Sequence, residues 1–454
     1  MKQFPIKFNL RITIFCLAVC LACSKSGDNL PDPGTDPIYD PLKKVKDYVS
    51  LVMNDLYYWY EEVPKNLDPA SYQEIEPYFE DLLYDQDHWS WMMNGETYLK
   101  ITTGIQDSYG VFFQQAIPFY NDYGIRVAYV DPGSPLDEKG ITRGWELTHL
   151  NGIAVRNLVL NNSFQSTLDQ ASNAFTFVDL QGQSHQFVAN SREVQSVSVL
   201  KTMTFTPENY PGLPHQVGYM VYLTFNRQMM NELDQAFALF QGVQDFVLDL
   251  RYNGGGDHDV TEHLANYLAP AVAEGEIFNQ IRHNARYSSW NQGGITRIHR
   301  EEGALNLNRL FVLTTRQTAS ASEMIINGLK PFYEVICIGD TTYGKPNGMY
   351  VLPYPQNNYD NPEYVFLPIC FFNVNKNGEG DFVDGILPHN GRGDDLYHDF
   401  GPEEDYLRAA LQYIATGSFP AVPRTVSVKG IPGKALPKES KGYLFKRLPE
   451  NPVY

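Results

Sequence analysis

From about residue 215 the chain alternates short apolar runs with longer amphipathic ones. Strand-like runs fall at Tyr219–Phe225, Phe246–Arg251, Leu310–Thr315, Val335–Gly339 and Tyr364–Phe372. Helix-like runs lie between them near 229–241, 259–268 and 322–332. This alternation predicts an α/β sandwich over residues 201–420. Upstream, residues 104–200 change to short strands and turns and predict a β-rich domain. Residues 41–103 are helical and aromatic in texture, with Tyr57-Tyr-Trp59-Tyr and His88-Trp-Ser-Trp91, and predict a small helical cap that packs on another domain. A last helix is expected from Tyr406 to Ile414, followed by a polar, Pro-rich tail over 421–454. No internal repeat is present.

The first 40 residues differ from the rest. Lys2, Lys7 and Arg11 precede an apolar stretch from Ile12 to Ala22, and Cys23 follows Leu21-Ala22. The stretch is too short for a permanent bilayer-spanning helix. It resembles a bacterial lipoprotein signal over residues 1–22, with cleavage before Cys23 and lipid on its sulfur. Cys20, behind Val19, is the competing position, and an ordinary secretory signal is the plainer reading. Residues 23–40 are rich in Pro, Gly and Asp and read as a tether reaching roughly 20–25 Å. The resemblance implies the bacterial cell envelope and membrane attachment through lipid.

Charge narrows the partners. Lys2, Lys7 and Arg11 are the only charged residues among the first 22, so their removal takes the net charge from −18 to −21. A chain this acidic is not built for nucleic acid or an anionic membrane surface. Beyond Cys23 only Cys337 and Cys370 remain, each inside an apolar run, and they read as buried thiols.

Ser320 and Lys345 stand 25 residues apart, in Thr318-Ala-Ser320-Ala-Ser-Glu323 and Tyr343-Gly-Lys345-Pro. Ser320 falls between a strand-like and a helix-like run, where a hydroxyl is exposed at a helix N-terminus. Lys345 follows the next strand-like run. If the two strands are neighbours, hydroxyl and amine leave the sheet at one edge. A serine nucleophile needs a base. Lysine, with a free pKa of about 10.4, is neutral in about one molecule in 2,500 at pH 7, so a useful base needs a pKa nearer roughly 7–8. Burial without a carboxylate partner supplies such a drop, and Tyr343, Gly344, Pro346 and Met349 carry no acid. The competing readings are a solvated loop lysine and a capping box in which Ser320 and Glu323 only start a helix. Ser322 is the alternative serine. The N–H of Ala321, directly after the nucleophile, is a candidate oxyanion donor.

Leu248-Asp-Leu-Arg251-Tyr-Asn253-Gly254-Gly-Gly256, Thr318–Glu323 and Tyr343-Gly-Lys345 occur in that order. Together they resemble the signatures of the carboxyl-terminal processing peptidases, or tail-specific proteases, over about 104–415. The resemblance implies a crotonase/ClpP-like α/β catalytic domain and a Ser320–Lys345 dyad without cofactor or metal. It makes Gly255 the second oxyanion donor and polypeptides the substrates. Those members carry glutamine four residues after the lysine. Here that residue is Met349, and Asn347 is the nearest amide able to orient the base.

Within 104–200, Gly133-Ser-Pro135, Gly140-Ile-Thr-Arg-Gly144 and Asn151-Gly152 resemble a PDZ domain, except that Trp145 stands where aspartate is usual. Such domains bind C-terminal tails as an added strand. The resemblance makes Tyr109, Gly110 and Val111 the loop for the tail carboxylate. The alternative is a module that only props the catalytic domain. His258 and His263, five apart, do not share a helix face as i,i+4 metal ligands do, while a Ser320–His258 pair stays open. A peptide-binding scaffold on the same fold, or a hydrolase of non-peptide acyl compounds, are the rival functions.

Overall fold

Six strands form the central sheet in the order Val199–Phe205, Val217–Tyr222, Asp245–Asp249, Arg309–Thr314, Glu334–Gly339 and Asn390–Gly391. The first pair is antiparallel and every later pair is parallel. The computed structural model that shows this describes residues 40–115 and 124–422. The leader, Cys23 and the tail from residue 423 lie outside the described residues.

Both faces of this sheet are covered, which is why its strands read as continuous apolar runs rather than as alternating ones. Met220, Leu248, Val312 and Cys337 face one core, shared with the helices Asn231–Phe237, His258–Leu268 and Ala321–Leu329. Their neighbours Val221, Val247, Phe311 and Ile338 face the other, shared with the helix Asp405–Thr416. The result is a mixed α/β fold. Arg309–Thr314 and Glu334–Gly339 are adjacent and parallel, so the segments that follow them, with Ser320 and Lys345, leave the sheet at the same edge. Cys337 and Cys370 are buried and free, and burial pushes each thiol up to about 12.

The run Tyr364–Phe372 is not one strand. Pro368, which has no N–H for a ladder, separates Tyr364–Leu367 from Ile369–Val374, and the two halves join different sheets. Tyr364–Leu367 pairs with Trp91–Asn94 from the helical region and with Leu352–Tyr354. Ile369–Val374 pairs with Ile277–His283 and Asn347–Met349. The region read as a purely helical cap therefore contains a strand. Its helices Lys43–Asp55, Ile75–Asp81 and Gly95–Thr103 surround it. Trp-Met-Met-Asn is too short for periodicity to distinguish helix from strand; the partner strand decides.

Residues 104–195 form the β-rich region. Val111–Gln115, Ile125–Val130, Glu146–Leu150, Ser172–Val178 and Ser184–Asn190 follow one another across an antiparallel sheet, with Val111–Gln115 at its edge. Beside that edge strand, against the helix Phe164–Leu168, lies a groove of about 150 Å³. No helix among the described residues is long and apolar enough to cross a membrane.

Candidate active site

The strand Arg309–Thr314 ends in a turn that is tied down before the helix Ala321–Leu329 begins. Thr318 Oγ1 donates to the Leu250 carbonyl at 2.8 Å, and the Ala319 N–H donates to the Asn253 carbonyl at 3.1 Å. Held this way, Ser320 adopts φ 55° and ψ −109°, a left-handed backbone that a non-glycine residue takes only when its surroundings over-determine it. That conformation sets the side chain at the mouth of the turn, 5% exposed. Ser322 has no such freedom: it is fully buried and its hydroxyl donates to the Asn253 carbonyl at 3.0 Å.

Glu323 does more than cap the helix. Its Oε2 accepts the Ser320 N–H and the Lys345 N–H, both at 2.8 Å. Its Oε1 accepts Thr342 Oγ1 at 2.5 Å and the Gly344 N–H at 2.8 Å. One buried carboxylate therefore fastens the backbone of the serine to the backbone of the lysine. Burial holds the Glu323 carboxyl above its ordinary range, against the lowering effect of these four donors. The sequence carried a signal for this. Every other residue of Ala321–Leu329 is buried as well, and an acid in such a helix needs internal partners.

Lys345 is 2% exposed, and its Nζ lies 3.8 Å from the Met349 thioether. Met349, the residue in place of the glutamine, thus lies against the amine. Asn347 is 1% exposed, and neither its Oδ1 nor its Nδ2 has a hydrogen-bond partner.

Beside Ser320 a cavity of about 10 Å³ is lined by Ser320, Ala321, Gly256, His258 and Asn373, room for about one water. The Ala321 N–H belongs to the helix's first turn, where helix geometry supplies no i−4 partner. Gly255 backs directly onto Ser320: a Cβ there would lie 3.0 Å from Ser320 Cβ, and its φ is 108°. Its own N–H donates to Asn253 Oδ1 at 2.9 Å, and Gly256 is the glycine of this turn that lines the cavity. His258 opens the helix His258–Leu268, and its Nε2 faces Asn279 Nδ2 at 3.5 Å. Burial holds its imidazole below the ordinary histidine range. Among the described residues no cluster of His, Cys, Asp or Glu has a metal-holding arrangement.

In the β-rich region Tyr109 and Val111 line the groove. The Tyr109 hydroxyl donates to the Gln170 carbonyl at 2.6 Å. Gly110 has φ 66°, a Cβ on it would lie 2.1 Å from Ser134 Cβ, and its N–H donates to Ser108 Oγ at 3.1 Å. Trp145 packs on His185, with ring centroids 4.5 Å apart.

Residues 216–361 match the model of peptidase family S41, and residues 44–91 match the peptidase S41 N-terminal domain. The first match contains the glycine turn, Ser320 and Lys345; the family is one of serine-type peptidases. Carboxyl-terminal-processing peptidase 2 of Arabidopsis thaliana chloroplasts is 25% identical over 224 residues, covering 49% of this chain and 42% of that protein. Carboxy-terminal processing protease CtpB of Bacillus subtilis is 23% identical over 223 residues, covering 48% and 44%. The chain thus spans somewhat under half the length of these curated relatives. In fold it is similar to a Bacteroides fragilis protein assigned to the S41 proteases, with TM-score 0.66, 24% identity, and 87% of this chain and 100% of that one covered.

Proposed function

We propose that this chain is a serine endopeptidase of the cell envelope that uses a Ser320–Lys345 dyad. The observation that carries the reading is the Glu323 carboxylate, whose single Oε2 accepts both the Ser320 and the Lys345 N–H. Ser320 Oγ attacks the scissile carbonyl carbon while Lys345 Nζ, neutral, takes the hydroxyl proton. The oxyanion is met by the Ala321 N–H and by the backbone of Gly256, the glycine of the turn that lines the cavity, in place of Gly255, whose N–H is turned to Asn253. Collapse breaks the C–N bond, and the proton passes from Lys345 to the leaving amine. Water then hydrolyses the acyl-enzyme by the same route.

The β-rich region is read as PDZ-like. An edge strand beside a groove lined by both apolar and polar side chains suits β-addition of a peptide tail, and Tyr109, Gly110 and Val111 lead into that edge. Lipid on Cys23 would anchor the enzyme in a bacterial envelope. Incubating the purified chain with an unfolded polypeptide is expected to give fragments, and a fluorophosphonate is expected to add covalently to Ser320. Intact polypeptide after hours, with no adduct, would favour a peptide-binding scaffold instead, a reading supported by a thioether in place of an amide beside Lys345.

Asn347 is assigned to orienting the base when substrate is bound. A buried amide left without partners costs roughly 1–3 kcal/mol. Asn347→Leu is therefore expected to raise the melting temperature while lowering turnover about tenfold. Unchanged turnover in that variant would leave orientation to Met349 and the backbone.

A further inference from the structure

Lys345 is built into the catalytic region, yet two of the contacts that fix it come from residues 42–103 or from the core packed on them. The Trp89 indole N–H donates to the Gly344 carbonyl at 3.1 Å. Gly344 has its N–H on Glu323 Oε1 at 2.8 Å, so the residue before the lysine is gripped at both ends. Gly344 also has φ 96°, and a Cβ there would lie 2.3 Å from the Val383 carbonyl oxygen, so the segment has one path.

Trp89 is itself held by a rigid arm. Asp87 accepts the Trp89 N–H and the Ser90 N–H, both at 2.9 Å, and its other oxygen accepts the Tyr57 hydroxyl at 2.6 Å. Ser90 Oγ accepts the Ile369 N–H at 2.8 Å. The Trp89 ring stacks on Trp59, with centroids 6.3 Å apart and planes 11° from parallel. On the far side of the lysine, Met349 is a fully buried member of the core built by Val49, Met53 and Tyr57.

We infer that Trp89 is a positioning residue for the base: its indole N–H sets the Gly344–Lys345 backbone, so the N-terminal helical region completes the active site. This rests on the Ser320–Lys345 reading above. A side chain that acts only through a backbone carbonyl affects the chemical step and leaves substrate binding alone.

The test is Trp89→Phe, which keeps an aromatic ring against Trp59 and removes the indole N–H together with the five-membered ring. Turnover and the rate of Ser320 acylation by a fluorophosphonate are expected to fall together, about five- to tenfold, the scale of one lost hydrogen bond. KM is expected to stay near the parent value, while the melting temperature falls modestly for the lost ring volume. Asp87→Asn, which loosens the arm while leaving the Trp89 indole in place, is expected to give the same pattern more weakly, and it serves if Trp89→Phe does not fold. Acylation at the parent rate in both variants, or a rise in KM alone, overturns the inference while the dyad stands. Failure of the parent protein to acylate removes the dyad, and this inference with it.

Discussion

Ser320→Ala and Lys345→Met are each expected to lower peptide turnover by on the order of 10⁵- to 10⁶-fold, and the double variant by no more than either alone. In the proposed dyad nucleophile and base act as one unit, so removing one leaves the other without a task, and the losses do not add. Lys345→Met is the more informative change. It preserves length and apolar stem while removing the buried amine, so a loss of turnover reports on the amine and not on packing volume. Ser320 is still present in that variant, but its acylation by a fluorophosphonate should become undetectable on the parent timescale. Turnover within tenfold of the parent in Lys345→Met would show that another group takes the proton. His258, which lines the same cavity, would then be the group to replace.

Arg251→Met is expected to be the most destabilising single change in the catalytic region. Arg251 is wholly buried, and its guanidinium contacts Asp249 at 2.8 Å, Asp394 at 2.9 Å and Glu404 at 2.7 Å. Removing the cation leaves buried carboxylates facing one another, which costs roughly 3–5 kcal/mol. The melting midpoint should fall by roughly 5–15 °C. The effect reaches beyond the sheet, because Asp394 also holds Arg143 of the β-rich region at 2.7 Å, and the Tyr252 hydroxyl donates to Asp394 as well.

The pH dependence of that variant follows from Asp394. Burial alone would raise this carboxyl, but Arg143 and Arg251 hold it below the ordinary range. A depressed acid stabilises the fold above its unfolded pKa, and this contribution is lost as pH falls through the folded value. In Arg251→Met one of the two cations is gone, the folded pKa rises, and protonation becomes a relief. The stability gap between parent and variant should therefore narrow as pH is lowered from 8 toward 5. Parallel stability curves in thermal melts across that range would show that the three carboxylates are not coupled through Arg251.

The chemistry of this protein lay close to the surface of its sequence. Ser320, Lys345 and the glycine turn each follow a strand-like run, and parallel neighbouring strands bring such segments to one sheet edge whatever the details of packing. The both-faces-buried sheet was legible for the same reason: its strands are apolar without interruption. Glu323 was legible only in part. Its spacing from Ser320 announced a helix cap, but the ties to Thr342, Gly344 and Lys345 depend on a segment about twenty residues away, and no local pattern encodes that meeting.

What the sequence determined by itself is therefore the sheet edge to which Ser320, Lys345 and the glycine turn come, because it follows from local period and residue type. The tertiary structure decided how those groups are held. Pro368 divides one apolar run between two sheets, and Trp91–Asn94 becomes a strand only because Tyr364–Leu367 offers it a ladder. Gly256 lines the cavity while the Gly255 N–H turns to Asn253. Met349 meets the lysine amine, and Trp89, 255 residues before Gly344 in the chain, grips the backbone beside it. The Trp91–Asn94 pairing and the Trp89–Gly344 bond are long-range contacts whose partners carry no mutual signal in sequence, and the local ones take their geometry from the packing around them.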